Sequence, residues 1–394
     1  MGIVFESQVF KDDPGVTATH VLLVGCGEYP GLAAAKNGLH PLTPPRLSVE
    51  AMANWFLSGR DAMPAGREQP PEKAFYNPHA PLGSLAILAS PAGSYTLPSG
   101  EVIACTRPTL ANLKAATHKW LERLGENPNS RGIFYFCGHG LSDGTVQHLV
   151  ADDVMEIEYD PWGPLFHVSN TCQAAIRATP ATLAFWIDAC MEFNEQLLNN
   201  IGAPQSLIHG TRSGPPKTKD WSLIGATTMN RKAYAPERGV ARFTEALLRA
   251  LQGHCGTQCG MAQDYSVGAS DLRTATAEFL DLLQQGMEGE PQALGGFQGD
   301  GPGSTALHIL PNSPRVHVEM DIDPPGYRVL ASAYMENLAN PRELKKLGDG
   351  PARFLKERGE WTYGALFNQD RFPDQTHRRL LTSAVLRWQF KVPE

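Results

Sequence analysis

Along roughly the first 310 residues, short solid apolar runs alternate with stretches whose apolar residues recur at helical spacing. The runs His20–Gly25, Ser84–Ser90, Gly132–Gly138, Thr182–Asp188, Trp221–Thr228 and Thr305–Leu310 predict six strands. Each is apolar at consecutive positions, the pattern of a strand covered on both faces. Leu47–Leu57, the stretch from a Thr109 N-cap to Leu124, Asn170–Thr179 ahead of Pro180, Val240–Leu251 and about Ser270–Gln285 predict the helices between them. Residues 58–82, rich in Pro, Gly and charge, read as a surface insertion, and His148–Tyr159 as a hairpin or irregular excursion. Such alternation predicts an α/β fold, a mostly parallel six-stranded sheet with helices on both faces. In sheets of this kind the site lies beyond the carboxyl ends of the strands, where the strand order reverses.

The pattern changes after Pro311. Val316–Asp323 alternates like a half-buried strand, and Tyr327–Tyr334 suits a strand or the start of a helix. A charged stretch, Arg342–Arg358, then precedes an aromatic-rich tail, Trp361–Phe390. A boundary near 312–325 separates residues 1–315 from a small C-terminal extension, 316–394. With 394 residues, 42 % of them hydrophobic, the chain can bury a large core and an addition to it. The formal charge is −7 and no basic stretch stands out, which argues against nucleic acid as a partner. No apolar run approaches the roughly 18 residues that span a bilayer, so no membrane is expected as a partner. Met1–Ser7 lacks the basic and apolar regions of a signal peptide, and Glu6 stands where a myristoylation motif needs Ser or Thr. Seven cysteines without framework spacing point to a reducing, cytoplasmic compartment and unpaired thiols.

The third and fourth strands carry the chemistry. One delivers Cys137-Gly138-His139-Gly140 and the other Ile187-Asp188-Ala189-Cys190. Neighbouring parallel strands would bring His139 and Cys190 together at their carboxyl ends. An imidazole beside a thiol lowers its pKa and makes it a nucleophile. The glycines flanking His139 allow close backbone approach.

An apolar strand ending in Gly-His-Gly, followed about 50 residues later by one ending in Asp-Ala-Cys, resembles the caspase and metacaspase cysteine peptidases. Val21–Tyr29 resembles the opening strand of that family. Ala226-Thr227-Thr228 through Gly239–Leu248 resembles the strand and helix of its second subunit. The resemblance covers about 18–312 and implies a caspase-like three-layer sandwich, with a large-subunit-like part at 18–200, a linker at 201–220 and a small-subunit-like part at 221–315. It implies Cys190 as nucleophile, His139 as general base and acid, and the N–H groups of Gly140 and Cys190 as oxyanion hole. It further implies that Asp188 lines the primary specificity pocket and selects Arg or Lys before the scissile bond, by charge-assisted hydrogen bonds. Asp188, two residues before Cys190, matches the metacaspase and bacterial versions, while Asp188 and Met191-Glu192 depart from the caspase string. Where the family often carries a second pocket aspartate stands Ser48, so Glu50 is the remaining acidic candidate. Arg212, Lys217 and Lys219 in the linker are candidate autocleavage sites.

Other clusters suggest less. Asp188 also suits a helix cap. Asp152-Asp153 resembles a calcium loop of some metacaspases, but two carboxylates fall short of the six to eight oxygens calcium takes, so a solvated turn and no cofactor are expected. His254-Cys255 with Cys259 lacks the second ligand pair of a metal site. In the tail, Trp361, Tyr363, Phe367, Phe372 and Trp388 lie among Arg342, Arg353, Arg358, Arg371, Arg378, Arg379 and Arg387. They read as packing against the peptidase region, or as a platform for a small nucleotide activator. The expected function is a cysteine endopeptidase acting on protein or peptide substrates, with a role in stress or phage defence implied by resemblance. A silent caspase-fold binding module and a peptide ligase using the same thioester are the alternatives.

Overall fold

The computed structural model describes residues 2–31, 40–61, 73–97, 99–142, 146–193, 205–208, 214–227, 239–259, 264–287, 291–295, 298–301, 303, 305–368 and 372–392. The main sheet has seven strands: β1 (Ile3–Glu6), β2 (Thr19–Cys26), β3 (Leu82–Ser90), β6 (Arg131–Gly138), β10 (Thr182–Ala189), β12 (Trp221–Gly225) and β15 (Gln298–Asp300). Their order is β1-β3-β2-β6-β10-β12-β15. The five central strands are parallel and the two edges antiparallel. The chain builds outward from β2 to β3, then returns past β2 to β6. The strand order therefore reverses between β2 and β6, and the crevice beyond their carboxyl ends is where a site is expected.

Side chains alternate across the sheet into two cores. Val21, Leu23, Ile133, Tyr135, Ala184 and Trp186 pack under α2 (Pro44–Asp61), α5 (Arg242–Leu251) and α6 (Ala269–Leu283). Leu22, Val24, Phe134, Phe136, Phe185 and Ile187 pack under α3 (Leu110–Leu124) and α4 (Val168–Ala178). Both faces of β2, β6 and β10 are thus buried, which is why these strands read as solid apolar runs. Each fully buried large side chain there contributes about 1.5–3 kcal/mol. The N-cap of α3 is Thr109, whose side chain accepts from the Asn112 N–H. A short helix, α1 (Gln8–Asp12), follows β1, and a hairpin of β4 (Gly93–Thr96) and β5 (Val102–Cys105) follows β3.

One expectation changes. The run at 305–310 is not in the main sheet: β16 (His308–Leu310) joins β13 (Thr257–Gln258) and β14 (Tyr265–Val267) in a three-stranded sheet. The place beyond β12 belongs to the exposed β15. Within His148–Tyr159, the end of β8 (Gln147–Val150) is followed by the expected irregular turns, and β7 (Gly140–Ser142), β8, β9 (Leu165–His167) and β11 (Glu192–Phe193) form a small sheet beside the strand ends.

The C-terminal region is not a minor extension. Strands β20 (Ala352–Glu357), β17 (Arg315–Asp323) and β23 (Val385–Lys391) form one sheet. Strands β19 (Glu343–Lys346), β18 (Ala331–Glu336), β21 (Gly359–Phe367) and β22 (Gln375–Leu381) form another. Between them lies a separate core that includes Val318, Met320, Phe354, Trp361, Tyr363 and Phe390. The 3₁₀ turn Pro325–Leu330 leads into β18, so the 327–334 stretch is a turn first and a strand second. Among the described residues no helix is long and apolar enough to cross a membrane.

Candidate active site

Strands β6 and β10 pair in parallel with Gly138 opposite Ala189. The next residue of each chain is His139 and Cys190, so the pairing itself sets the two side by side, since adjacent strands lie about 4.8 Å apart. The chains stay adjacent past the sheet, because β7 continues from Gly140 and pairs with β11 after Cys190.

Gly140 faces the backbone of Cys190. A Cβ at this position would stand 2.2 Å from the Cys190 carbonyl oxygen and 2.9 Å from the Ala189 Cβ. Only glycine fits this gap. The Cys190 carbonyl also accepts from Gln147 Nε2 at 2.8 Å, and the Ala189 carbonyl accepts from Thr227 Oγ1 at 3.2 Å. The loop carrying the thiol is therefore held from three sides while Cys190 remains half-buried.

His139 is 9 % exposed. Its Nε2 lies 2.7 Å from the His40 carbonyl oxygen. A carbonyl only accepts, so Nε2 carries the proton and Nδ1 is the basic nitrogen. The His139 N–H donates to the Tyr29 hydroxyl, which donates in turn to the Cys26 carbonyl. The Tyr29 ring lies 5.0 Å from the imidazole, centroid to centroid. Burial lowers the His139 pKa to about 4, against the pull of the His40 carbonyl. The imidazole is neutral at pH 7 and available as a base. Tyr29, His40 and Gln147 had no functional signal in the sequence beyond Tyr29 standing just after the first strand.

The two acids expected at a pocket, Asp188 and Glu50, each have a partner within the fold. Asp188 is 3 % exposed and faces α5, where its Oδ2 accepts from the Thr244 N–H at 3.2 Å and the Thr244 hydroxyl at 2.5 Å. Burial raises its pKa to about 6, against the Thr244 hydrogen bonds. The carboxylate thereby caps the first turn of α5, with Thr244 as its partner. Tyr135 extends the chain of contacts by a hydroxyl bond to Thr244. Ser48, two residues before Glu50, is buried and accepts from the Ala241 N–H, so it faces α5 too. Glu50 is two residues on, about 200° around α2. It pairs with Arg46 at 2.7 Å, beside the Ser94 carbonyl, and does not enter a pocket with Asp188.

Lys217 is exposed and paired with Glu126, Lys219 is exposed, and Arg212 lies outside the described residues. Asp152 is not in a solvated turn: it is fully buried and bound by Arg107 Nε at 3.0 Å, while Asp153 accepts from the Leu110 N–H. Among the described residues no three His, Cys, Asp or Glu side chains gather in a metal-holding group. Cys255 is buried and His254 Nδ1 donates to the Arg315 carbonyl. Of the seven free thiols only Cys190 and Cys259 are part-exposed; burial pushes up the pKa of Cys26, Cys105, Cys137, Cys172 and Cys255. In the tail, Trp361 and Tyr363 are core residues, and Arg342, Arg353 and Arg378 are paired with Glu336, Glu319 and Glu360. That arrangement is a folded sandwich in which these aromatic and arginine side chains have partners.

The caspase domain family matches residues 18–270. A relative from Sinorhizobium fredii, the uncharacterized protein y4kE, is 50 % identical over 344 residues, 87 % of this chain and 99 % of its own. The crystal structure of caspase-1 from Spodoptera frugiperda is similar at a TM-score of 0.40 and 10 % identity, covering 74 % of this chain and 88 % of that one. With the family's match spanning more than half the sequence, over the strands that deliver His139 and Cys190, this chain belongs to the caspase-domain family of cysteine peptidases.

Proposed function

We propose that the protein is a cysteine endopeptidase in which Cys190 attacks the scissile carbonyl and His139 moves the protons. The observation that carries this is the β6–β10 register, which ends both strands at the same level and leaves imidazole and thiol as the next residues. His139 Nδ1 takes the thiol proton as sulfur bonds to carbon. It returns the proton to the leaving amine, giving a thioester, and then activates water to release the acid. The N–H groups of Gly140 and Cys190 are the proposed donors to the oxyanion. A cleavage-site profile against a denatured proteome tests the reading: the wild type is expected to cut and Cys190→Ala to cut nothing. Equal product from both proteins would remove the assignment.

Selection of Arg or Lys would pass through Asp188 alone, with the substrate cation replacing the Thr244 hydroxyl as its partner. Losing a hydrogen bond to a charged group costs about 1.5–3 kcal/mol. Asp188→Asn is then expected to lower kcat/KM for Arg peptides about 10- to 150-fold. Alkylation of Cys190 by a small reagent should stay within about twofold. If both fall together, Asp188 only supports α5 and the preference has another source.

A further inference from the structure

At the seam between the α/β unit and the C-terminal sandwich is a cavity of about 140 Å³. Lys73, Arg249, Arg315, Gln252, Asn312 and Ser313 supply its polar lining, and no Asp or Glu lines it. We propose that this cavity binds a small free oxyanion of the phosphate class, and that its occupancy reaches Cys190 through helix α5.

Side-chain donors stand beside the apolar Leu310, Pro311 and Leu355 in the lining. Lys73, Arg249 and Arg315 bring three cations to one concave site in a chain whose formal charge is −7. The carboxylate held nearby, Glu245, is the partner of Arg249 one turn back along α5. Guanidinium, ammonium, amide and hydroxyl donors around a small volume are the chemistry that holds phosphate. The volume suits a free ligand: a cavity walled by two units admits a phosphate or pyrophosphate but not a flat membrane surface.

The walls are joined by short backbone contacts. The Arg315 N–H donates to the Gly253 carbonyl at 2.8 Å, His254 Nδ1 donates to the Arg315 carbonyl at 2.8 Å, and Arg358 Nη1 reaches the Gly256 carbonyl at 2.7 Å. A ligand bridging Arg249 and Arg315 would tighten this seam. Burial lowers the His254 pKa to about 4, against the hydrogen bond to the Arg315 carbonyl, with His317, Arg249 and Arg315 adding to the lowering.

Helix α5 links the cavity to the nucleophile. Arg249 is in its last turn, and Thr244 in its first turn holds Asp188, two residues before Cys190. The helix is ten residues, about 15 Å, long. Ligand binding at one end and the Asp188 contact at the other are then parts of one rigid element, and the coupling is reciprocal.

Thermal unfolding is measured in phosphate, pyrophosphate and chloride at constant ionic strength, on wild type, Lys73→Gln and Lys73→Gln/Arg315→Gln. Pyrophosphate is expected to raise the wild-type midpoint by about 2 °C or more, and the shift to shrink in the single and vanish in the double variant. Equal shifts in all three would overturn the site, and so would no shift in the wild type. Flotation of the wild type with phosphatidylglycerol vesicles, lost in Lys73→Gln, would overturn the free ligand in favour of a lipid headgroup. The link to Cys190 rests on the proposed catalytic reading, so the thermal shift is repeated on Cys190→Ala, where it should persist. Pyrophosphate should change the rate of Cys190 alkylation several-fold in the wild type and leave it unchanged in the double variant. Binding with no change in that rate overturns the coupling.

Discussion

Gly140→Ala is expected to cost at least about 100-fold in peptide hydrolysis and about 1–3 kcal/mol in stability. The new Cβ would lie 2.2 Å from the Cys190 carbonyl oxygen, and an ordinary contact needs more than an ångström of additional room. That oxygen cannot yield alone. Gln147 holds it, and the Ala189 Cβ stands next to it at 2.9 Å from the same added carbon. The displacement therefore passes to the Cys190 backbone and its thiol. A misplacement of about 1 Å at a reacting group costs on the order of 100-fold, and an overfilled site costs about 1–3 kcal/mol. Cys190→Ala is the contrasting variant. It removes the proposed nucleophile, with an expected loss of about 10⁴-fold or more, but adds no atom and should leave the thermal midpoint close to that of the wild type. Kinetics and thermal unfolding on both proteins separate the two effects. A Gly140→Ala protein with wild-type activity and midpoint would show that the loop is not clamped as described.

The adjacency of the proposed pair was legible because its signal is local. Strands β6 and β10 are solid apolar runs, each ended by a short polar motif, and parallel pairing then sets His139 and Cys190 together. The partners of Asp188 and Glu50 were not legible because side-chain direction is not local. Asp188 lies on the same face of β10 as Trp186, under α5, and Thr244 takes its carboxylate. Glu50 is only two positions from Ser48 in sequence but on the far side of its helix. The edge strand β15 had no signal at all: Gln298–Asp300 are exposed and carry no apolar side chain. The run at 305–310 looked central because His308–Leu310 is fully buried, yet its partner is Val267, in a smaller sheet.

The sandwich was hidden for a further reason. Its strands bury charged residues among apolar ones, which blurs the two-residue alternation. Ala352, Phe354 and Lys356 all point inward on β20. Lys356 is tolerated there because its ammonium pairs with Glu343 and lies 4.8 Å from the Trp361 ring centroid. Glu319 is likewise 5 % exposed and bound by Arg353. A pattern reader counts these positions as surface, and so a seven-stranded unit reads as a charged extension.

Acid is expected to destabilise the protein between pH 6.5 and 4, with urea midpoints falling steadily over that window. Burial lowers the pKa of four histidines, His20 to about 3 and His139, His254 and His308 to about 4. In the unfolded chain each would titrate near 6.5. Across this window the unfolded state binds protons that the folded state refuses, so the stability these groups contribute is present above 6.5 and is lost as pH falls towards their folded values. Asp152 and Asp188 act oppositely. Burial raises both to about 6, so below 6 they take up protons in the folded state first and stability rises as pH falls towards 4. Asp153 and Asp281, pushed up by burial, add to that side. Glu319, held down by His317 and Arg353, adds to the other. Four strongly lowered histidines outweigh two strongly raised aspartates, which leaves a loss on the order of 1–3 kcal/mol per pH unit. His20→Phe should flatten the slope, because His20 packs edge-on against Phe10 and its Nε2 has no partner. Urea midpoints that stay level or rise from pH 6.5 to 4.5 in the wild type would mean the histidines find their protons inside the fold.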